Sequence, residues 1–376
     1  MSGRESKSAR RVLVTGLSTY WGGRLAAALE SNPGIEAIIG VDSREPTREL
    51  ERTEYVKVGV QHGLIEKIVR AARIDTVVDA RLMVDSARGP DGRRPDQIHE
   101  NNVIGTLNIL AACAAGGSPV KKLVFKSSAH WYGCAQDDPA YFTEDMVRRY
   151  EPETRVERDV VEAEAAVAEF RDLRPGVTVS VLRFANVLGA EVDTSHIRFF
   201  ALPAVPMIAG FDPRYQFVDE VDVVHGLEHM VVRDIPGIFN VAGDGVLTLS
   251  EVISLLGKRP LPIIPPWGTS LAMAGYRRLG LALPSEMVKQ LRFGRGIDNR
   301  AFKATGFHFR YTSRETVLHL RDRLRLDPVF APDDSIYSYE PAVEDFLRHS
   351  PHVDRSRRDP GREDVALFDP SPPVED

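Results

Sequence analysis

Short apolar runs alternate with amphipathic stretches from the start of the chain. Residues 11–15 (RVLVT) predict a strand. Residues 22–31 predict a helix, closed by the strong stop signal Asn32-Pro33-Gly34. A second apolar run, 37–41, ends in Asp42. Residues 65–72 predict a helix and 75–80 a buried strand, and 103–115 carry apolar positions at helical spacing. The alternation continues with a strand at 122–125 opening onto Lys-Ser-Ser, a helix rich in Glu and Ala at 155–170, and a strand at 177–183. This order predicts an α/β fold, a Rossmann-type doubly wound parallel sheet with helices on both faces.

After Asn186 the pattern loosens. Pro and Gly punctuate 201–213, a sheet-like run follows at 237–241, and a helix at 250–256. Residues 258–325 read as a smaller, mostly α lobe. The expected division is a dinucleotide-binding domain at 11–187, with 217–245 returning to it, and a substrate lobe made of 188–216 and 246–325. From about residue 327 the chain is rich in Pro, Asp and Arg. Its end cannot bury enough apolar surface to offset ordering entropy, so 327–376 is expected to be disordered.

Composition narrows the function. The chain has 376 residues, 43% hydrophobic and 27% charged, with a formal net charge of −6. This is a globular balance without the basic face that a nucleic-acid partner would favour. The basic pairs Arg10-Arg11 and Arg148-Arg149 and the run at 355–358 have acidic residues nearby and read as solvated faces. Two cysteines, Cys113 and Cys134, make neither a disulfide framework nor a structural zinc site, and no metal is expected. Cys113 lies in an apolar helical stretch and reads as core. No apolar leader precedes the first strand, and no segment reaches about 18 uncharged apolar residues. The expectation is a cytoplasmic protein with no membrane span.

The most specific local pattern is strand, then Thr15-Gly16-Leu-Ser-Thr19-Tyr20-Trp21-Gly22-Gly23, then helix, then a second strand ending in Asp42. Gly16 suits a tight turn, and Gly22 lets the helix pack closely on the sheet. The helix N-terminus, with Thr19, Tyr20 and Trp21, would face a pyrophosphate, and an acid after the second strand would accept from a ribose hydroxyl. Asp42 would repel a 2′-phosphate, which favours NAD as cofactor over NADP. Arg44 close by acts against that preference.

With these motifs go NNVIGTLNIL at 101–110, KSSAHWYG at 126–133, VLRFANVLG at 181–189, QFVDEVDVV at 216–224, GIFNVAGDG at 237–245 and DNRAFKATGF from Asp298. In this order they resemble the extended short-chain dehydrogenase/reductase family, in its NAD-dependent epimerase/dehydratase branch typified by UDP-glucose 4-epimerase, over residues 11–325. The resemblance implies a nucleotide-sugar ligand and places Asn102 at the cofactor. It also places Asn186 at the substrate diphosphate and Arg295 as a second-lobe phosphate ligand. Trp267, Tyr276 and Phe293 either stack on a base or fill the lobe core. A homodimer through the helices at 103–115 and 155–170 follows by the same analogy.

The chain also departs from the family. Thr19 stands at the middle glycine and puts a side chain where backbone would approach phosphate. Gly59 stands where an acid follows the third strand, and Arg81-Leu82 where a small pair follows the fourth, with Arg81 either contacting a phosphate or facing solvent or a salt-bridge partner. Ser128 matches the family serine. The family tyrosine and lysine, four residues apart on one helix, fall on Val156 and Val160, with Glu164 after them read as a surface or cap residue. Neither valine can titrate or donate. From Lys126 the next lysine is Lys258. Tyr132 matches a structural tyrosine, Glu144 a structural loop acid, and Tyr150 has Thr154 four residues on. His130 occupies the position of a dehydratase acid, where an imidazole could exchange protons near pH 7; the reading favoured over that one is a histidine that bonds backbone at a loop end. Two readings remain open: an epimerase/dehydratase-like enzyme with a rearranged relay, and a noncatalytic sensor or partner subunit.

Overall fold

Five largely apolar runs become the strands β1 Arg10–Thr15, β2 Ile35–Asp42, β4 Thr76–Asp79, β5 Lys122–Ser128 and β6 Thr178–Phe184, and the mixed, half-exposed segment Thr53–Lys57 becomes β3. The structure is a computed structural model and describes residues 10–59, 62–85, 95–263 and 285–330. With Gly237–Val241 these strands form one seven-stranded sheet, in the order Gly237–Val241, β6, β5, β4, β1, β2, β3. Every pairing is parallel. Parallel strands covered on both faces need apolar side chains on both, so their sequences read as unbroken hydrophobic runs.

Alternation along the strands sorts the core into two layers. Leu13, Val77, Leu123 and Phe125 pack with Ile65, Val69, Ile109, Val156 and Val160 from the helices His62–Ala71, Gly105–Ala114 and Arg155–Leu173. Val12, Val14, Val124 and Leu182 pack on the other face with Leu25 and Leu29 from α1 (Tyr20–Glu30) and with Val223 and Leu227 from the helix Glu220–Val232. β2 and β3 run to one side of β1 and β4 lies on the other. The strand order therefore reverses beside β1, and this opens a crevice at the carboxyl ends of β1 and β4.

A third core, built on Phe199, Phe200, Tyr215, Phe217, Leu249 and Val317, holds the second lobe. The expected α-rich stretch at 258–325 holds the helices Ser285–Phe293, Arg300–Ala304 and Ser313–Phe330, but it opens with the strand Arg259–Ile263, parallel to Ala204–Ile208. Pro260 and Pro262 hid that strand, because proline argues against a strand except at a sheet edge. Trp267 and Tyr276 lie outside the described residues, as does the tail beyond Phe330.

Candidate functional site: a two-cavity groove at the switch point

The loop after β1 is set by two glycines. Gly16 sits at φ 74°, the left-handed region where a side chain is strained. A Cβ on Gly22 would lie 2.1 Å from the Gly16 carbonyl oxygen, so the helix can approach this turn only without one. Thr19 caps α1: its hydroxyl accepts from Gly22 N–H at 3.2 Å and donates to the Gly16 carbonyl at 2.6 Å. The hydroxyl thus turns back onto the turn, where the sequence suggested an obstruction to phosphate. Asp42 closes the crevice at the end of β2. One carboxylate oxygen accepts from the Ser18 N–H and hydroxyl at 2.9 and 2.8 Å, and the other from Ser43 N–H at 2.6 Å.

The groove holds two cavities. The first, about 470 Å³, is lined by Asp42, Ser43, Arg44, Val58, Ile65 and Asn108, a mix of polar rim and apolar floor. The second, about 350 Å³, is lined by Tyr20, Trp21, Lys126, Ser128, His130 and Asn186. Arg81 borders both. Its guanidinium pairs with the buried Asp79 through Nε at 3.0 Å and Nη2 at 2.9 Å, and Nε also reaches Thr15 Oγ1 at 3.2 Å. Thr106 donates to the same carboxylate at 3.2 Å. A Cβ on Gly105 would lie 2.2 Å from Arg81 Nη1, so the arginine occupies space that two glycines leave open.

Burial alone would raise the Asp79 carboxyl, but the charge and hydrogen bonds of Arg81, with Thr15, hold it below the carboxylate range. A carboxyl lowered on folding stabilises above its unfolded value and loses that contribution as pH falls through the folded one. Arg81→Ala is expected to cost about 2–3 kcal/mol at pH 7, less than a fully buried pair because the guanidinium is partly solvated. The deficit should shrink between pH 7 and 5, since an unpaired buried Asp79 takes up a proton early. Urea unfolding across that range checks both statements, and a deficit that grows on acidification would contradict the assignment.

In the second cavity, Ser128 and His130 form a dyad. Ser128 Oγ and His130 Nδ1 lie 2.8 Å apart, and the same oxygen accepts from the His130 backbone N–H at 3.3 Å. Burial first, then the charges of Arg295, His196 and Arg148, hold His130 well below its ordinary range. The imidazole is therefore neutral at pH 7. The Tyr20 phenol is pushed up by burial and by the charge of Glu220, away from service as a base. Tyr132 donates to Asn240 Oδ1 at 2.8 Å and stacks on Phe142, in keeping with a structural tyrosine. Tyr150 is exposed and reaches Asp137. Glu144 accepts from Asn240 N–H at 2.8 Å and ties a loop to the last strand of the sheet.

Val156 and Val160 are 1% and 0% exposed and belong to the core under the sheet. Glu164, expected at the surface, is instead buried. It continues their four-residue spacing onto the inward face of the helix, where Arg183 binds it through Nε at 3.0 Å and Nη2 at 2.6 Å. Asn102 is also enclosed. Its amide accepts from Met83 N–H at 2.9 Å and donates to Met83 C=O at 2.8 Å and to Asp159 at 3.1 Å, which fixes the loop after β4. Asn186 lines the second cavity and accepts from Gln290 at 3.4 Å. Arg295 borders a third cavity of about 820 Å³ together with Arg214, Arg292 and Phe293, and it donates to the Gly133 carbonyl at 3.0 Å.

Sequence reasoning missed two groups. Lys126 was read only as part of a motif, yet it lines the second cavity. Glu220 accepts from the N–H groups of Ala190, Glu191 and Val192 and shapes the loop beside that cavity. Only strand alternation could have flagged Lys126, and nothing in the spacing flags Glu220. Both cysteines are buried and unpaired. Among the described residues no cluster of three or more His, Cys, Asp or Glu could hold a metal, and no helix is long and apolar enough to cross a membrane.

A glycine turn at the switch point of a parallel sheet, with an acid closing the neighbouring strand, defines a Rossmann-type dinucleotide fold. The sequence matches the model of the NAD dependent epimerase/dehydratase family over residues 12–242, and the chain belongs to that family. Uncharacterized proteins of Mycobacterium tuberculosis and Mycobacterium bovis are 33% identical over 311 residues, 81% of this chain and 81% of theirs. UDP-glucose 4-epimerase 2 of Oryza sativa is 29% identical over 196 residues, 48% of this chain and 46% of that one. Among solved structures, dTDP-glucose 4,6-dehydratase of Bacillus anthracis in complex with NAD superposes with a TM-score of 0.63 at 16% identity, covering 86% of this chain and 98% of its own. UDP-glucose 4-epimerase of Thermotoga maritima with UDP-glucose gives 0.63 at 19%, covering 84% and 98%. Both likenesses concern the fold.

Proposed function

We propose that the chain binds NAD along the groove, with a nucleotide-sugar-type ligand at the second cavity, and that it does not run the tyrosine–lysine proton relay of its family. The residues fit the dinucleotide. The first cavity offers Asp42 and Ser43 to ribose hydroxyls and Val58 and Ile65 to an adenine face. Arg81 lies between the cavities, where a diphosphate would cross. Bound NAD supplies a hydride acceptor. Asn186, with the arginines of the third cavity, offers hydrogen bonds and charge to a nucleotide diphosphate.

The observation that carries the noncatalytic side of this reading is the place of Val156 and Val160, sealed in the core with no titratable group on either side chain. What remains at the cavity is a serine bonded to a neutral histidine. That dyad can orient a hydroxyl but lacks the acidified phenol that accepts its proton. The chain therefore acts as a dinucleotide and sugar-nucleotide sensor, or as the partner of an active subunit. Ile104 and Leu107, exposed on the helical layer beside the sheet, suit a homodimer through that layer.

The test is to denature the purified chain and assay released NAD and NADH, then to incubate the native chain with UDP-glucose and related sugars. Bound dinucleotide without turnover is expected. Turnover at ordinary rates would overturn the noncatalytic reading, and turnover that survives Ser128→Ala and His130→Ala would overturn the site assignment with it.

A further inference from the structure

β5 carries two buried lysines on one face, Lys122 and Lys126, and they are treated differently. Lys122 reaches the carbonyls of Val231 and Arg233 at the end of a helix, and Asp234 at 3.3 Å. That arrangement gives a buried ammonium what it needs. Lys126 donates to the Leu82 carbonyl at 3.3 Å and lies 5.4 Å from the Trp21 ring centroid. Its nearest carboxylate influence is Asp79, which Arg81 already neutralises. Lys126 is thus an undercompensated cation lining the cavity that holds Ser128.

We propose that Lys126 makes this cavity read the oxidation state of the dinucleotide, favouring NADH over NAD+. The inference rests on the dinucleotide reading above. That reading puts the nicotinamide end of NAD in the second cavity, beyond Arg81 and beside the sugar. The oxidised ring is itself a cation and the reduced ring is neutral, so an ammonium without a carboxylate partner in a low-dielectric cavity disfavours the first alone. Helix Arg155–Leu173 brings Glu164 to Ser127 beside Lys126, but Arg183 pairs that carboxylate, and Val156 and Val160 turn into the core.

The other ionisable groups at the cavity are accounted for. On β4 and its loop, Asp79 pairs with Arg81, and Asp85 bonds Ser195 and Arg198. In the second lobe, Glu191 pairs with Arg24 and Asp193 with Arg198. His130 and His196 are held neutral by burial, and Tyr20 is pushed up. Burial pushes the Lys126 amine down to about 8, with Asp79 acting against it. The discrimination is therefore present below that pH and fades above it.

The experiment is a fluorescence titration of the full chain with NADH, displaced by NAD+, from pH 6.5 to 9.5. The wild-type chain is expected to bind NADH about tenfold more tightly at pH 6.5, with the ratio falling through pH 8. Lys126→Met should bring the ratio near one at every pH. Lys126→Arg should keep the preference at pH 9.5, because a guanidinium does not titrate there. Equal affinities in the wild-type chain, or a ratio indifferent to pH, overturn the inference alone and need no variant to be seen. Absence of binding by either form overturns the dinucleotide reading and this inference together.

Discussion

Glu164→Ala is expected to destabilise the protein by about 3–5 kcal/mol, the range for removing one partner of a buried ion pair. Both side chains are almost fully buried, at 5% and 2% exposure. Arg183 donates to the carboxylate through two nitrogens, Ser127 donates to it as well, and the guanidinium carbon lies 3.5 Å from the Trp131 ring centroid. Arg183 Nη1 already lacks a hydrogen-bond partner among the described residues. Removing Glu164 would leave the whole charge buried and uncompensated. Glu164→Gln keeps the shape and part of the hydrogen bonding, and should fall between alanine and wild type. Glu164→Leu with Arg183→Met should recover much of the loss, because the cost lies in the unpaired charge and less in the missing contact. Guanidinium unfolding of the four proteins is the measurement. An alanine variant within about 1 kcal/mol of wild type would mean that the pair is solvated.

The same pair explains what the sequence could reveal about the site. Glu164 and Arg183 lock the helix Arg155–Leu173 to β6, so the positions four and eight residues before Glu164 are fixed on its inward face. Val156 and Val160 are thus held on the inward face, and Glu164 itself was misjudged. A lone glutamate in a helix dense with Glu and Arg gives no sign of which way it points. The sheet was legible because parallel strands impose unbroken apolar runs, and the turn because only glycine fits at Gly16 and Gly22. Arg81 was legible only as a phosphate contact, a salt-bridged or a solvent-facing side chain, and Lys126 not at all as part of the groove. Their placement depends on side chains from distant strands and helices, Asp79, Thr15 and Thr106 for one and Trp21 for the other. The neutrality of His130 likewise depends on burial first and then on Arg295, which enters from the second lobe.

Gly22→Ala has an expected outcome opposite to that of an ordinary helical glycine. Within a helix, alanine is favoured over glycine by about 1 kcal/mol. Here the added methyl would meet the Gly16 oxygen at 2.1 Å, the Gly16 carbonyl carbon at 2.6 Å and Leu17 N at 3.0 Å, all backbone atoms that cannot rotate aside. α1 must move off the turn, and the first-turn N–H groups then lose their aim on the diphosphate position. The variant should lose about 1–3 kcal/mol of stability from overpacking and bind the dinucleotide on the order of 100-fold more weakly, since helix N-terminal donors tolerate little displacement. Gly176→Ala, with nothing within 4 Å of the new carbon, is the control and should match wild type in both respects. Paired thermal unfolding and NADH titration separate the two effects. Retention of wild-type affinity in Gly22→Ala would show that the dinucleotide does not lie against this helix end, and the placement of both cavities along one ligand would fall with it.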